Sequence, residues 1–149
     1  MILEKGDMWS AFRYSDLWLF TGNSHVKRNG ELVMGRGLAK EVKEEFPASP
    51  GYLGWLIREI GCHLGTYGVL RSDNVPKIGV FQVNHDFLEA AKLSLIGFSC
   101  IRLMEIIKRG EFKNLHLNFP GIGNGKLDRA HVLPIISELP DCVHVWERE

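Results

Sequence analysis

The sequence predicts an α/β fold built in layers around a largely parallel sheet. Short apolar runs of strand length alternate along the chain with longer segments of helical periodicity. Strands that alternate with helices form parallel sheets against which the helices pack. No internal repeat, low-complexity stretch or linker divides the 149 residues. We therefore expect a single domain, residues 1–149, which is long enough to bury a continuous core.

The predicted strands are short apolar runs bounded by turn residues. The clearest is LWLFT, residues 17–21, a continuous apolar run with the length of a buried strand. A turn-rich segment, RSDNVPK, separates the third strand from the fourth. The other predicted strands are residues 1–3, 67–70, 78–83, 115–119 and 142–146.

Four helices are predicted between these strands. The longest covers residues 88–108 and ends before Gly110, and its apolar positions take up most of its circumference. Such a helix packs deeply against a sheet. The others are residues 37–46, which end at Pro47, residues 52–60, which follow Pro50-Gly51, and residues 129–138.

Charge and composition exclude several classes of function. Eighteen basic residues balance eighteen acidic ones, which argues against general nucleic-acid binding because that requires a basic surplus. No carboxylate, histidine or cysteine cluster has the spacing of metal ligands, so we expect no metal and no other cofactor. No apolar run has the length of a signal peptide or a membrane helix, so a cytoplasmic protein without membrane contact is expected.

Two glycine-rich loops each join a predicted strand or polar loop to the start of a helix. Backbone amides can approach a ligand closely at glycine, and a helix N-terminus adds unpaired N–H donors that suit a phosphate. Two such loops in one small domain suit a diphosphate. The first loop comprises Met34, Gly35, Arg36, Gly37 and Leu38, and the second comprises Gly121, Ile122, Gly123, Asn124 and Gly125.

Familiar nucleotide-binding motifs do not fit these loops. Lys40 stands where the dinucleotide fingerprint has its third glycine or an alanine. In the second loop, Leu127 replaces the Ser or Thr of a Walker loop, and Pro120 replaces its first glycine. Neither a Rossmann dehydrogenase nor a P-loop NTPase is predicted.

The order of motifs along nearly the whole chain resembles the macro domain family. The motifs are KGDM at residues 5–8, MGRGLA at 34–39 followed by FP at 46–47, and FPGIGNGKLD at 119–128 before the last strand. Within that family the chain is most similar to terminal ADP-ribose glycohydrolases and their phage and antitoxin relatives. The resemblance implies a three-layer α/β/α domain with a mixed, largely parallel sheet. It also implies a cleft for ADP-ribose or an ADP-ribosylated macromolecule.

The resemblance also implies roles for individual residues. Asp7 would accept a hydrogen bond from the adenine amino group, and the Met8 backbone would support the ring. Trp146 would flank the adenine, and Asn23 would lie near the distal ribose. The two glycine loops would enclose the diphosphate through their backbone amides.

The match to the glycohydrolases breaks at the catalytic lysine of that branch. That position aligns with Asn84, which cannot form the Schiff-base-type adduct of an amine, whereas Asp128 fills the position of the assisting aspartate. Asp128 also precedes a predicted helix, where an N-cap is expected.

Three functions stay open. In the first, the chain only binds ADP-ribose. In the second, it hydrolyses an ADP-ribosyl bond or ADP-ribose 1''-phosphate, using a water held by Asn23, Asn84 or Asp128, or using His25 or His85 as the base. In the third, it is an interaction module with a degenerate cleft.

Overall fold

The central sheet of the computed structural model has six strands in the order β1-β6-β5-β2-β4-β3. The structure describes residues 1–74 and 76–148. Every neighbouring pair is parallel except β3 and β4, which are antiparallel, so the predicted mixed, largely parallel sheet is confirmed. The strands are β1 (Ile2–Lys5), β2 (Leu17–Gly22), β3 (Val69–Arg71), β4 (Ile78–Gln82), β5 (Leu115–Asn118) and β6 (Val143–Glu147).

Helices cover both faces of the sheet and give the predicted three-layer α/β/α arrangement. Strand β2 shows why: its side chains alternate, so that Leu17 and Leu19 enter one core while Trp18 and Phe20 enter the other. Helices α3 (Leu93–Lys108) and α4 (Arg129–Ile136) pack into the first core, and α1 (Gly37–Glu45) and α2 (Ser49–Glu59) into the second. All four of these β2 side chains are fully buried.

The longest helix begins five residues later than the sequence predicts. Residues 88–92 belong to the loop that follows β4, because the Asp86 carboxylate accepts a hydrogen bond from the Leu88 N–H and the Lys92 N–H bonds back to the Val83 carbonyl. These contacts hold the backbone away from helical geometry, and α3 begins at Leu93.

Other boundaries also differ from the prediction. Strand β3 starts at Val69 rather than at residue 67, because the N–H groups of Tyr67 and Gly68 donate to the Gln82 side-chain oxygen instead of to a neighbouring strand. Helix α2 begins at Ser49 and takes Pro50 into its first turn, where a missing N–H costs nothing. Short 3-10 helices at Met8–Tyr14 and Gly123–Gly125 were not predicted. Part of the predicted turn at 71–77, Val75, lies outside the described residues.

The two ends of the described chain meet at one edge of the sheet. Strand β1 pairs only with β6, in parallel, and the Gly6 N–H bonds to the Glu147 carbonyl just beyond the pair. Within the described part of the chain, no helix is both long and apolar enough to cross a membrane.

Candidate functional site

A cleft opens at the carboxyl ends of the central strands β2, β4 and β5. Ligands in open α/β sheets bind at this edge because the loops that follow parallel strands converge there. The cavity has a volume of about 170 Å³ and is lined by both glycine loops. Of the residues named from the sequence, it brings together Asn23, Asn84, Met34, Gly35, Arg36, Gly37, Leu38, Gly121, Ile122, Asn124 and Gly125.

Several lining residues were missed by the sequence analysis. The cavity also contacts Thr21, Gly22, Val33, Ala39, Val83, Phe87, Asn118 and Phe119. Most of them end or directly follow β2, β4 or β5, so the rule about carboxyl ends of parallel strands could have found them.

The two glycine loops face each other closely. Gly37 (φ +58°) and Gly123 (φ +64°) adopt the left-handed backbone region that glycine reaches without strain. A Cβ atom on Gly37 would lie 3.4 Å from the Asn124 side-chain nitrogen of the opposite loop. At Gly35 the backbone φ is ordinary, and a Cβ atom would meet no atom within 4 Å. The space beside Gly35 is therefore open to a ligand.

Gly121 serves packing rather than an open approach to a ligand. A Cβ atom there would lie 2.8 Å from side-chain carbons of Ile96 and Leu127. Helix α1 offers a different feature to the cleft, because its N-cap residue Arg36 makes no side-chain capping bond. The first-turn N–H groups of α1 thus retain the unpaired donors and positive dipole end that attract an anion.

The asparagine side chains in the cleft are engaged with the surrounding loops. Asn23 donates to the Val33 carbonyl at 3.0 Å, and its side-chain oxygen accepts from the His25 N–H at 2.8 Å. Asn84 donates to the Glu89 carbonyl at 3.0 Å. Asn118 bonds to Thr21 through both of its side-chain polar atoms, at 2.9 and 3.0 Å. These bonds set the shape of the cleft wall.

Arg36 carries the charge among the described lining residues of this cleft, which include no carboxylate, imidazole or amine. Its guanidinium donates to the Phe87 carbonyl at 2.7 Å and so bridges the first glycine loop to the loop after β4. A cleft of this kind attracts anions and offers no obvious proton-transfer group of its own.

The predicted titratable candidates lie outside the cleft lining. Asp128 is the N-cap of α4, accepting from the Ala130 N–H at 3.0 Å, and is exposed. His25 pairs with Asp86 at 3.2 Å, and hydrogen bonds from the Leu88 N–H and from His25 lower the pKa of Asp86. His85 lies 2.8 Å from the Thr66 hydroxyl.

A second cavity of about 330 Å³ adjoins the cleft. It shares Val33, Gly35, Arg36, Phe87 and Asn124 with the cleft, so the two are contiguous. Its further walls are Leu88, Glu89, Ala90 and Lys126. None of these four residues was predicted from the sequence to belong to a site.

A third cavity of about 320 Å³ extends the cleft in another direction, towards β1 and β6. Gly6, Met8 and Trp146 line it, together with Gly123 and others of the second glycine loop. Asp7 stands between two of these residues, and its carboxylate caps the 3-10 helix by accepting from the Trp9 N–H at 3.0 Å. The cleft and its two extensions form one continuous groove.

Comparison with known proteins shows likeness at the level of structure. No protein-family model matches the sequence, and no curated protein matches it. The macrodomains of DarG from Thermus aquaticus and from Mycobacterium tuberculosis superpose with TM-scores of 0.75 and 0.76, at 19% and 20% identity. Each alignment covers 99% of this chain and 97% of the other. Thermosipho africanus DarTG in complex with ADP-ribose aligns over all of this chain and 42% of its own, with a TM-score of 0.75 and 19% identity.

Proposed function

Because this chain has the macrodomain fold, we propose that its groove binds ADP-ribose, free or attached to a macromolecule. One observation carries the proposal: two glycine loops with left-handed glycines face each other across a cleft that continues at both ends. A diphosphate fits the centre, and the two extensions leave space for a group on either side of it.

The centre of the groove suits an anion on electrostatic grounds. The first-turn amides of α1 supply unpaired N–H donors, and Arg36 adds a positive charge at the same wall. The described lining holds no carboxylate that would repel the phosphates. The free-energy cost of desolvating a diphosphate at this place is therefore offset by amide donors and by a guanidinium.

The two ends of the groove differ in chemical character, as do the adenine end and the distal-ribose end of ADP-ribose. Trp146 and Met8 both line the third cavity, and an aromatic ring with a thioether suits adenine. Asp7 lies in sequence between the lining residues Gly6 and Met8, and we infer that its carboxylate, which accepts from the Trp9 N–H, would also accept from the adenine amino group. Stacking on Trp146 would contribute about 1 kcal/mol beyond the burial of area. Asn23 and Asn84 line the cleft but not the third cavity, and the distal ribose would be held beside them.

The groups that would surround the distal ribose favour binding over hydrolysis through a lysine adduct. Asn84 lies two residues beyond the end of β4 and holds the backbone of the following loop by donating to the Glu89 carbonyl. Asp128 caps α4 and does not line the cleft. The second cavity, beside Arg36 and Phe87, is open to a macromolecule attached at the ribose.

Calorimetric titration tests the proposal directly. We expect ADP-ribose to bind with a dissociation constant of roughly micromolar order, about −8 kcal/mol. AMP should bind more weakly because it lacks the second phosphate and the distal ribose. The absence of heat and of a thermal shift at millimolar ADP-ribose would contradict the proposal.

Replacement of Gly35 by valine locates the ligand. A Cβ atom at Gly35 meets no protein atom within 4 Å and needs no unusual backbone, so stability should hardly change while affinity falls roughly tenfold or more. Gly51→Val is the matched control, because Gly51 also has open space around it but lies in α2, away from the groove. Gly37 and Gly123 are poorer positions, since a side chain on a left-handed backbone costs about 1–2 kcal/mol. Equal affinity in the Gly35 and Gly51 variants would place the ligand elsewhere.

A further inference from the structure

Trp146, which lines the third cavity, is held by a buried histidine of the neighbouring strand. Its indole Nε1–H donates to His116 Nδ1 at 2.9 Å. His116 lies on β5 and is 5% exposed, whereas Trp146 lies on β6 and is only partly buried. The bond therefore joins an indole at the wall of the groove to a fixed point inside the sheet.

The same bond defines the protonation state of His116. An indole nitrogen is a donor only, so His116 Nδ1 must be the acceptor and its proton must be on Nε2. Nε2 then donates to the Asn114 side-chain oxygen at 3.0 Å. The Asn114 amide in turn donates to the Tyr14 carbonyl at 2.8 Å. Trp146, His116 and Asn114 thus form a directed chain of hydrogen bonds.

The surroundings of His116 keep the ring neutral. It stacks on His144, with 4.9 Å between ring centroids and 16° between planes, and His144 Nδ1 lies 2.9 Å from a Glu4 carboxylate oxygen. Burial, and secondly the charge of His144, lower the pKa of His116 to about 4. A neutral ring is what the bond to Trp146 requires, because a protonated ring has no acceptor.

We propose that His116 is a positioning residue for the base-binding end of the groove, fixing the indole of Trp146 in the orientation that stacks on adenine. This inference rests on the proposed function. Preorganisation of this kind raises affinity, because the ligand then does not have to order the side chain itself.

A double-mutant cycle tests the link between the two residues. His116→Leu removes the acceptor, and Trp146→Phe removes the donor while it keeps an aromatic ring. In the natural background, His116→Leu should weaken both ADP-ribose and AMP roughly fivefold, the effect of one net hydrogen bond. In the Trp146→Phe background, the same substitution should change affinity less than about twofold.

Rescue separates positioning from a general effect on the fold. His116→Asn places an amide oxygen where Nδ1 was, and it should restore most of the affinity that His116→Leu loses. The positioning role is wrong if His116→Leu binds ADP-ribose as tightly as the natural protein. It is also wrong if His116→Leu lowers the affinity by the same factor in the natural and the Trp146→Phe backgrounds.

Nuclear magnetic resonance tests the natural protein without any substitution in the sheet. Saturation with ADP-ribose should shift the Trp146 indole N–H resonance and the His116 ring nitrogens. Unchanged resonances at saturation would overturn the inference even if His116→Leu fails to fold. Failure of the natural protein to bind ADP-ribose at all would instead overturn the proposed function.

Discussion

Acidification should destabilise the fold through His116 in particular. The ordinary histidine pKa is 6.5, and burial lowers the pKa of His116 to about 4 in the folded chain. The unfolded chain therefore binds a proton at His116 before the folded chain does. His116 is 5% exposed, so solvent screens this difference only weakly.

The sign and size of the effect follow from proton linkage. Stability is highest above pH 6.5, where the ring is neutral in both states, and falls as the pH decreases towards 4. Below the pKa that His116 has in the folded chain, its contribution to the free energy of unfolding changes no further. The gap between the two pKa values corresponds to at most about 3 kcal/mol. The charged groups that face His116 are His144 and Glu4, which act in opposite directions on its pKa.

Urea unfolding between pH 7 and pH 4 measures this effect. The natural protein, His116→Asn and the control His131→Asn share all the other titrating groups, so differences between their pH profiles isolate each histidine. His131 is exposed on α4, and its removal should leave the profile unchanged. Between pH 7 and pH 4, the free energy of unfolding should fall less in His116→Asn than in the natural protein, by up to about 3 kcal/mol. Parallel profiles for the natural protein and His116→Asn would refute the reasoning.

Two further predictions concern Asp128 and Asn84, to which the resemblance to glycohydrolases assigns catalytic positions. Asp128→Ala should cost about 1 kcal/mol of stability and Asp128→Asn almost nothing, because asparagine also caps helices, and neither should change the affinity for ADP-ribose. Thermal unfolding and calorimetry measure both, and an affinity loss in Asp128→Asn would bring Asp128 into the site. Because Asn84 has no amine, borohydride treatment with an ADP-ribosylated substrate should trap no covalent adduct. Mass spectrometry that maps an adduct to Lys92 or Lys126 would contradict this.

Local sequence signals predicted the regular elements well. The LWLFT run became β2 because each of its apolar side chains enters one of two cores. The start of α3 was predicted wrongly because contacts from Asp86 and Val83 decide it. The 3-10 helix at Met8–Tyr14 is too short to show a clear period, and its Trp9 and Phe12 rings pack against Trp18 and Phe46.

Only those parts of the groove that come from a single segment of the chain could be predicted from the sequence. Both glycine loops are visible as local motifs, and the structure brings them to one cleft. The second cavity depends on Arg36 reaching the Phe87 carbonyl across 51 residues, which no local pattern reveals. Likewise, the role of His116 depends on the order of strands in the sheet, because Trp146 becomes its neighbour only when β6 pairs with β5.

The pairing of β1 with β6 also constrains when the groove can be completed. The third cavity takes Gly6 and Met8 from the beginning of the described chain and Trp146 from its last strand. Synthesis proceeds from the N-terminus, so β1, the central strands and both glycine loops exist before β6, which lies between β1 and β5 in the sheet. The third cavity therefore cannot be complete until β6 has been synthesised and has paired with both β1 and β5. If the groove binds ADP-ribose as proposed, a nascent chain gains that binding only after this strand has formed.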